Sequence, residues 1–113
     1  MPTPIDAPTW PEPRAIAEKR VLICLLAMHE AERRGVAITS ADVQLTSDEF
    51  RLEFGLAEPE ASFAWMKRAG LDEVSYTRFM HYMTAVRLVQ AAMASEIEGL
   101  LDLYRKIESV RYR

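Results

Sequence analysis

The sequence predicts an all-α fold: a single small helical domain of about four helices with a long C-terminal helix. Three observations carry this. Gly35-Val36, Gly55-Leu56 and Gly70-Leu71 each follow a charged, apolar-striped run, and a glycine then an apolar residue is how many helices stop. Thr39 with Asp42 three residues on has the form of a capping box at a helix start. From Phe79 to Ile107, finally, apolar residues recur at alternating intervals of four and three, the spacing of a helical seam.

The elements follow in order. Residues 1–12 hold Pro2, Pro4, Pro8 and Pro11 and read as an extended arm, from which Trp10 is free to fold back. Residues 13–113 form the helical domain. The first helix is expected over 13–34, and its segment "VLICLLAM" is apolar on every side, the pattern of a helix surrounded by neighbours. It is therefore expected to be the central pillar, with Cys24 in its core. The second helix runs from the Thr39 cap to Phe54. Pro59 suits the first turn of a third helix ending at Ala69, and Asp72 caps a fourth expected over 73–110. That helix would be ~57 Å long at ~1.5 Å per residue. Either it runs unbroken, with a bend, or it breaks at Gly99; the reading favours continuity.

With 113 residues and half of them apolar, the chain suits one domain with one core. Its net charge of −3 argues against general nucleic-acid binding, which needs a basic stripe. Charge is uneven, since residues 35–72 carry seven acidic and three basic groups while the last nine carry four basic and one acidic. A single cysteine allows no intrachain disulfide. The start lacks the basic and apolar parts of a signal peptide, and no run reaches the ~18 apolar residues of a membrane span. The expected compartment is the cytoplasm, with no membrane and no nucleic-acid partner.

Signs of catalysis are missing. His29-Glu30 begins like a zinc-protease helix, but position 33 holds Arg33 where the second histidine belongs. His81 has no Glu-x-x-His companion, the serines lie in no nucleophile elbow, and neither a dinucleotide-binding glycine pattern nor a phosphate loop occurs. The chain is read as no enzyme, without cofactor or metal.

Binding features remain. In the second helix Val43, Phe50 and Phe54 share one face while Leu45 and Leu52 project from the opposite one. Leu45, Leu52, Trp65, Met66, Tyr82 and Met83 are the candidate partner-binding residues, with Arg51, Arg68 and Arg78 placed to meet acidic groups of a peptide. The C-terminal seam is Phe79, Met83, Val86, Gln90, Met93, Ile97, Leu100, Tyr104 and Ile107. Its far half, Met93, Ile97, Leu100, Tyr104 and Ile107, is the candidate oligomerisation surface. The first helix, a second copy or another protein must cover it.

The stretch "AMHEAERRGVAITSADVQLTSDEFRLEFGL" followed by "SFAWMKRAGLDEVSYTRFMHYM" resembles the helical part of SurA-like and NifM-like chaperone domains, with an "ERRG" helix end, a "DEF" helix and a late Gly-Leu before a Phe-bearing helix. It resembles more closely the helical segment associated with TfuA-like proteins, which accompany YcaO enzymes in making azole- or thioamide-modified peptides. The likeness covers roughly residues 18 to 90, and rests on Glu32, Arg33, Arg34, Gly35, Asp48, Phe50, Gly55, Leu56, Trp65, Leu71 and Phe79. It departs in lacking a prolyl-isomerase domain and a globular N-terminal part. The resemblance implies a non-catalytic peptide- or protein-binding module, accessory to a YcaO-type enzyme or to its substrate peptide. The alternative is a homodimeric structural or regulatory protein joined through the C-terminal seam.

Overall fold

The computed structural model describes residues 12–111, so the proline-rich arm and Trp10 lie almost entirely outside the described residues. Five helices follow in order: α1 (Arg14–Arg34), α2 (Ser40–Glu53), α3 (Pro59–Ala69), α4 (Glu73–Ala92) and α5 (Ala94–Arg111). Among the described residues there is no strand, and the fold is all-α.

Local chemistry sets the ends. Thr39 Oγ1 accepts the Asp42 backbone N–H at 3.1 Å while Asp42 Oδ2 accepts the Thr39 N–H at 3.1 Å, closing the capping box. Asp72 does half of this for α4, accepting the Ser75 N–H at 2.7 Å. These bonds favour the ionised carboxylates: the Thr39 hydroxyl and then its N–H hold Asp42 below the usual carboxylate range, and the Ser75 N–H does so for Asp72. At the other ends Gly55 and Gly70 take φ 69° and 68°. The residue after each reaches back, Leu56 N–H to Arg51 O at 2.7 Å and Leu71 N–H to Met66 O at 2.9 Å, which is the Schellman closure. Gly35 ends α1 in the same way, with Val36 N–H on Ala31 O at 2.9 Å.

Two expectations are corrected. The helix expected over 73–110 is divided at Met93, whose backbone leaves the helical region at φ −105° and ψ 17°, whereas Gly99 lies inside α5 and interrupts nothing. Hydrogen bonds bracket the bend, Met93 N–H on Val89 O at 2.9 Å and Ile97 N–H on Met93 O at 3.0 Å, so it loses few bonds and requires no glycine or proline.

The second correction concerns the pillar, which is α4 and not α1. The extended helix contacts are those of α4 with α1 and with α2, while α5 meets α4 only around the bend. The buried side chains of α4 are Met80, Thr84, Ala85 and Val89. Small residues at the centre let helices approach closely. α1 buries only Ala27 and Ala31, leaving Val21, Leu22, Ile23, Leu25 and Leu26 between 45% and 58% exposed. One neighbouring helix covers one stripe, and a segment apolar on every side needs more. Cys24 is accordingly only half-buried.

The α2–α4 contact has a polar centre. Thr84, with none of its surface exposed, donates from Oγ1 to Thr46 Oγ1 at 2.8 Å and lies 2.7 Å from Met80 O, while Thr46 Oγ1 donates to Asp42 O at 3.1 Å. Arg87 extends the contact, donating to Asp42 O at 3.3 Å and lying 3.7 Å from Glu49.

The glycines give a paired prediction. No atom lies within 4 Å of a side chain added at Gly70 or Gly99, so backbone conformation alone decides. Gly70→Ala should destabilise by ~1 kcal/mol because its left-handed φ disfavours a Cβ, and Gly99→Ala should stabilise α5 by up to ~1 kcal/mol as helix propensity improves. Urea denaturation of the two variants should move in opposite directions.

A pH prediction comes from the last turn of α1. Hydrogen bonds from Arg33 and then Arg34 hold the Glu30 carboxyl down to about 2, against ~4.3 for an ordinary glutamate. A carboxyl depressed by folding stabilises fully above its unfolded value and loses that contribution as pH falls toward its folded one. The melting temperature should therefore drop between pH ~4.5 and ~2. In Glu30→Gln the drop should be smaller, and because the cluster is near the surface the difference should shrink in high salt.

Candidate functional site

The site is built outward from one ring. The cap at Thr39 sets the phase of α2, and a four-residue spacing brings Phe50 and Phe54 to 4.7 Å between ring centroids. Trp65 of α3 approaches Phe50 at 5.6 Å, and Tyr76 of α4 lies 6.4 Å from both Phe50 and Trp65. The Tyr76 hydroxyl is 2.7 Å from Ser47 Oγ, which gives its polar end a partner. These tilted and edge-on rings hold α3 to the body.

Beside this cluster runs a groove of about 670 Å³. Val21, Cys24 and Leu25 of α1 form one wall; Phe50, Trp65, Ala69 and Leu71 form the other, with Phe79 and Tyr82 between them from α4. Apart from the Tyr82 hydroxyl and the Trp65 indole N–H, the polar side chains lining it are Ser75 and Arg78. The Arg78 guanidinium stands 5.9 Å from the Tyr82 ring centroid, within cation–π range, which fixes a positive charge at the edge of an apolar trough. Burial pushes the Cys24 thiol pKa up, so at neutral pH it is an apolar wall element. Size and lining match those of small-ligand and peptide sites.

A second groove of about 680 Å³ lies among α2, α3 and α4 and is more polar, with Gln44, Ser47, Ser62, Thr77 and His81 alongside Val43, Phe63 and Met66. Arg51 lines it too, held by Asp48 at 2.6 Å. A third, about 660 Å³, runs between α1 and the bend, where Ile23 and Leu26 face Val86, Val89, Met93 and Ile97.

The sequence-derived candidates are thus distributed over several surfaces. Trp65, Tyr82 and Arg78 meet in the apolar groove, and Met66 and Arg51 in the polar one. Leu45, Leu52, Met83 and Arg68 line none of the three, and Leu52 is 70% exposed. Of the oligomerisation set, Met93 and Ile97 are half-buried at the bend, whereas Leu100, Tyr104 and Ile107 lie exposed along α5. Val21, Cys24, Leu25, Phe50 and Phe79 of the groove were not among the candidates. The one signal for the α1 wall was the all-round apolarity of "VLICLLAM", which reads equally as core.

Among the described residues no group of three or more His, Cys, Asp or Glu side chains is placed to hold a metal ion, and no helix is long and apolar enough to cross a membrane. Comparison with family models, with curated proteins and with solved structures finds no match to this chain.

Two substitutions separate the packed side of α2–α3 from the open side. Trp65→Gln removes ring contacts with both Phe50 and Tyr76 and should lose ~2–3 kcal/mol of stability. Leu52→Gln, on an open face, should stay within ~0.5 kcal/mol of the parent. Calorimetric melting of both proteins checks the pair.

Proposed function

We propose that the chain is a non-catalytic binding module that takes an apolar segment of a peptide or protein into the groove between α1 and the aromatic cluster. The observation that carries this reading is the groove itself: apolar walls drawn from four helices, with Arg78 as its one charged lining residue. Helix-built walls lose less entropy on capture than loops do. The favoured ligand is an amphipathic segment that inserts apolar anchors against Phe50, Trp65 and Phe79 and turns an acidic residue toward Arg78. Among the described residues, no carboxylate pairs with Arg78 in the free chain. An accessory role beside a peptide-modifying enzyme rests on the sequence resemblance alone.

Selection from a displayed library of random twelve-residue peptides tests the reading. Enriched peptides should combine apolar anchors with Asp or Glu, and should change the emission of Trp65 in a Trp10→Phe background. Leu25 is 45% exposed, so Leu25→Gln should leave the melting temperature nearly unchanged while weakening capture about tenfold, ~1.4 kcal/mol. Arg78→Glu should weaken the acidic peptides selectively. Capture unaffected by both substitutions would rule the groove out as the binding surface.

A further inference from the structure

The α5 helix carries Leu100, Leu103, Tyr104, Ile107 and Val110 between 54% and 73% exposed. At a hundred degrees per residue they fall in one stripe, which continues at its start into Met93 and Ile97. Beyond the bend α5 makes no extended contact with α1, α2 or α3.

Two features of the stripe select what covers it. The first is that it reads the same in both directions. Reversed about a point between Leu103 and Tyr104, the helix places Leu100 on Ile107 and Ile97 on Val110, and its end charges Glu96 on Arg111. A surface whose residue i meets j while j meets i is the requirement of a two-fold, isologous contact. The second is charge. Residues 94–102 carry Glu96, Glu98 and Asp102 with no basic group, whereas 103–111 carry Arg105, Lys106 and Arg111 with Glu108, so the halves are −3 and +2. An antiparallel pair sets each acidic half against a basic half, while a parallel pair sets like against like. The same polarity also suits the dipole of the single helix; the palindromic stripe is what assigns it to a second copy.

We propose that two copies of this chain pair antiparallel through α5. The last turn of each α5 then enters the groove where Ile23 and Leu26 of the other copy face Met93 and Ile97. Area supports the arrangement. The five stripe residues with Ile23 and Leu26, each more than half exposed, offer on the order of 700–800 Å² per copy, close to the ~800 Å² per partner of a standard stable interface.

Sedimentation of the full chain should show a dimer at micromolar concentration, and Leu100→Glu should convert it to monomer without loss of helicity. Glu96→Lys with Glu98→Lys makes both halves of α5 net basic, and Arg105→Glu with Lys106→Glu makes both net acidic. Each double variant alone should dimerise at least tenfold more weakly, and an equimolar mixture should restore association. Orientation is read in a Cys24→Ser background with a short bis-maleimide. Leu103→Cys should cross-link between copies, whereas Glu96→Cys should not, because its two copies lie ~22 Å apart along an antiparallel pair. A monomer at ~100 μM would overturn the proposal, that being far above the concentrations at which standard-size interfaces associate. So would a mixture no tighter than its components, or a Glu96→Cys protein that cross-links as fast as Leu103→Cys.

Discussion

The arrangement of this protein depends on the close packing of α4 by α1 on one side and α2 on another. α4 presents Thr84 and Ala85, both without exposed surface, and α1 presents Ala27 and Ala31. Short side chains bring the helices together, but each contributes little apolar area. Six hydrophobic residues are buried among those described, and three are alanines. At ~25 cal/mol per Å², a core of this kind stabilises less than one built from leucine and phenylalanine. The larger apolar side chains of α1 and α5 stand outside it. Polar restraints carry a correspondingly larger share: the Thr84–Thr46 and Arg87–Asp42 bonds tie α4 to α2, while the capped starts fix where each of the two helices begins.

What was legible in the sequence is what short-range physics determines. Gly35, Gly55 and Gly70 announce left-handed stops because few other residues take that backbone conformation at so little cost, and Thr39 and Asp72 announce starts because their oxygens lie within reach of N–H groups three residues on. All five boundaries expected from these signals agree with the observed ones to within a residue. The bend at Met93 left no such mark. It keeps hydrogen bonds on both sides, and the alternating four-three spacing passes through it undisturbed, so the period that predicted one helix describes two equally well.

The misplacement of α1 has a different origin. Periodicity reports which faces of a helix are apolar but not whether one chain supplies enough neighbours to cover them. The segment from Val21 to Met28 is written for a helix enclosed on all sides, and among the described residues it packs closely on one, against α4. For the same reason the groove was only half visible. Trp65, Tyr82 and Arg78 are among the candidates the sequence offers, whereas Val21, Cys24 and Leu25 lie in a segment that reads as core. Phe50 joins the two halves, since its ring is at once the hub of the aromatic cluster and part of the groove lining.

That α1 is under-enclosed connects the two proposed surfaces. Val21, Cys24 and Leu25 face the aromatic groove, while Ile23 and Leu26 face the groove beside the bend, so both binding surfaces have α1 as a wall. In the proposed dimer Ile23 and Leu26 would be covered on one side of α1, and in the proposed ligand complex Val21 and Leu25 on another, so α1 is the element that the two occupants would share. On the two proposals together, the exposed side chains of α1 are surfaces for two occupants, since side chains on two sides of one helix are both buried only when both occupants are in place.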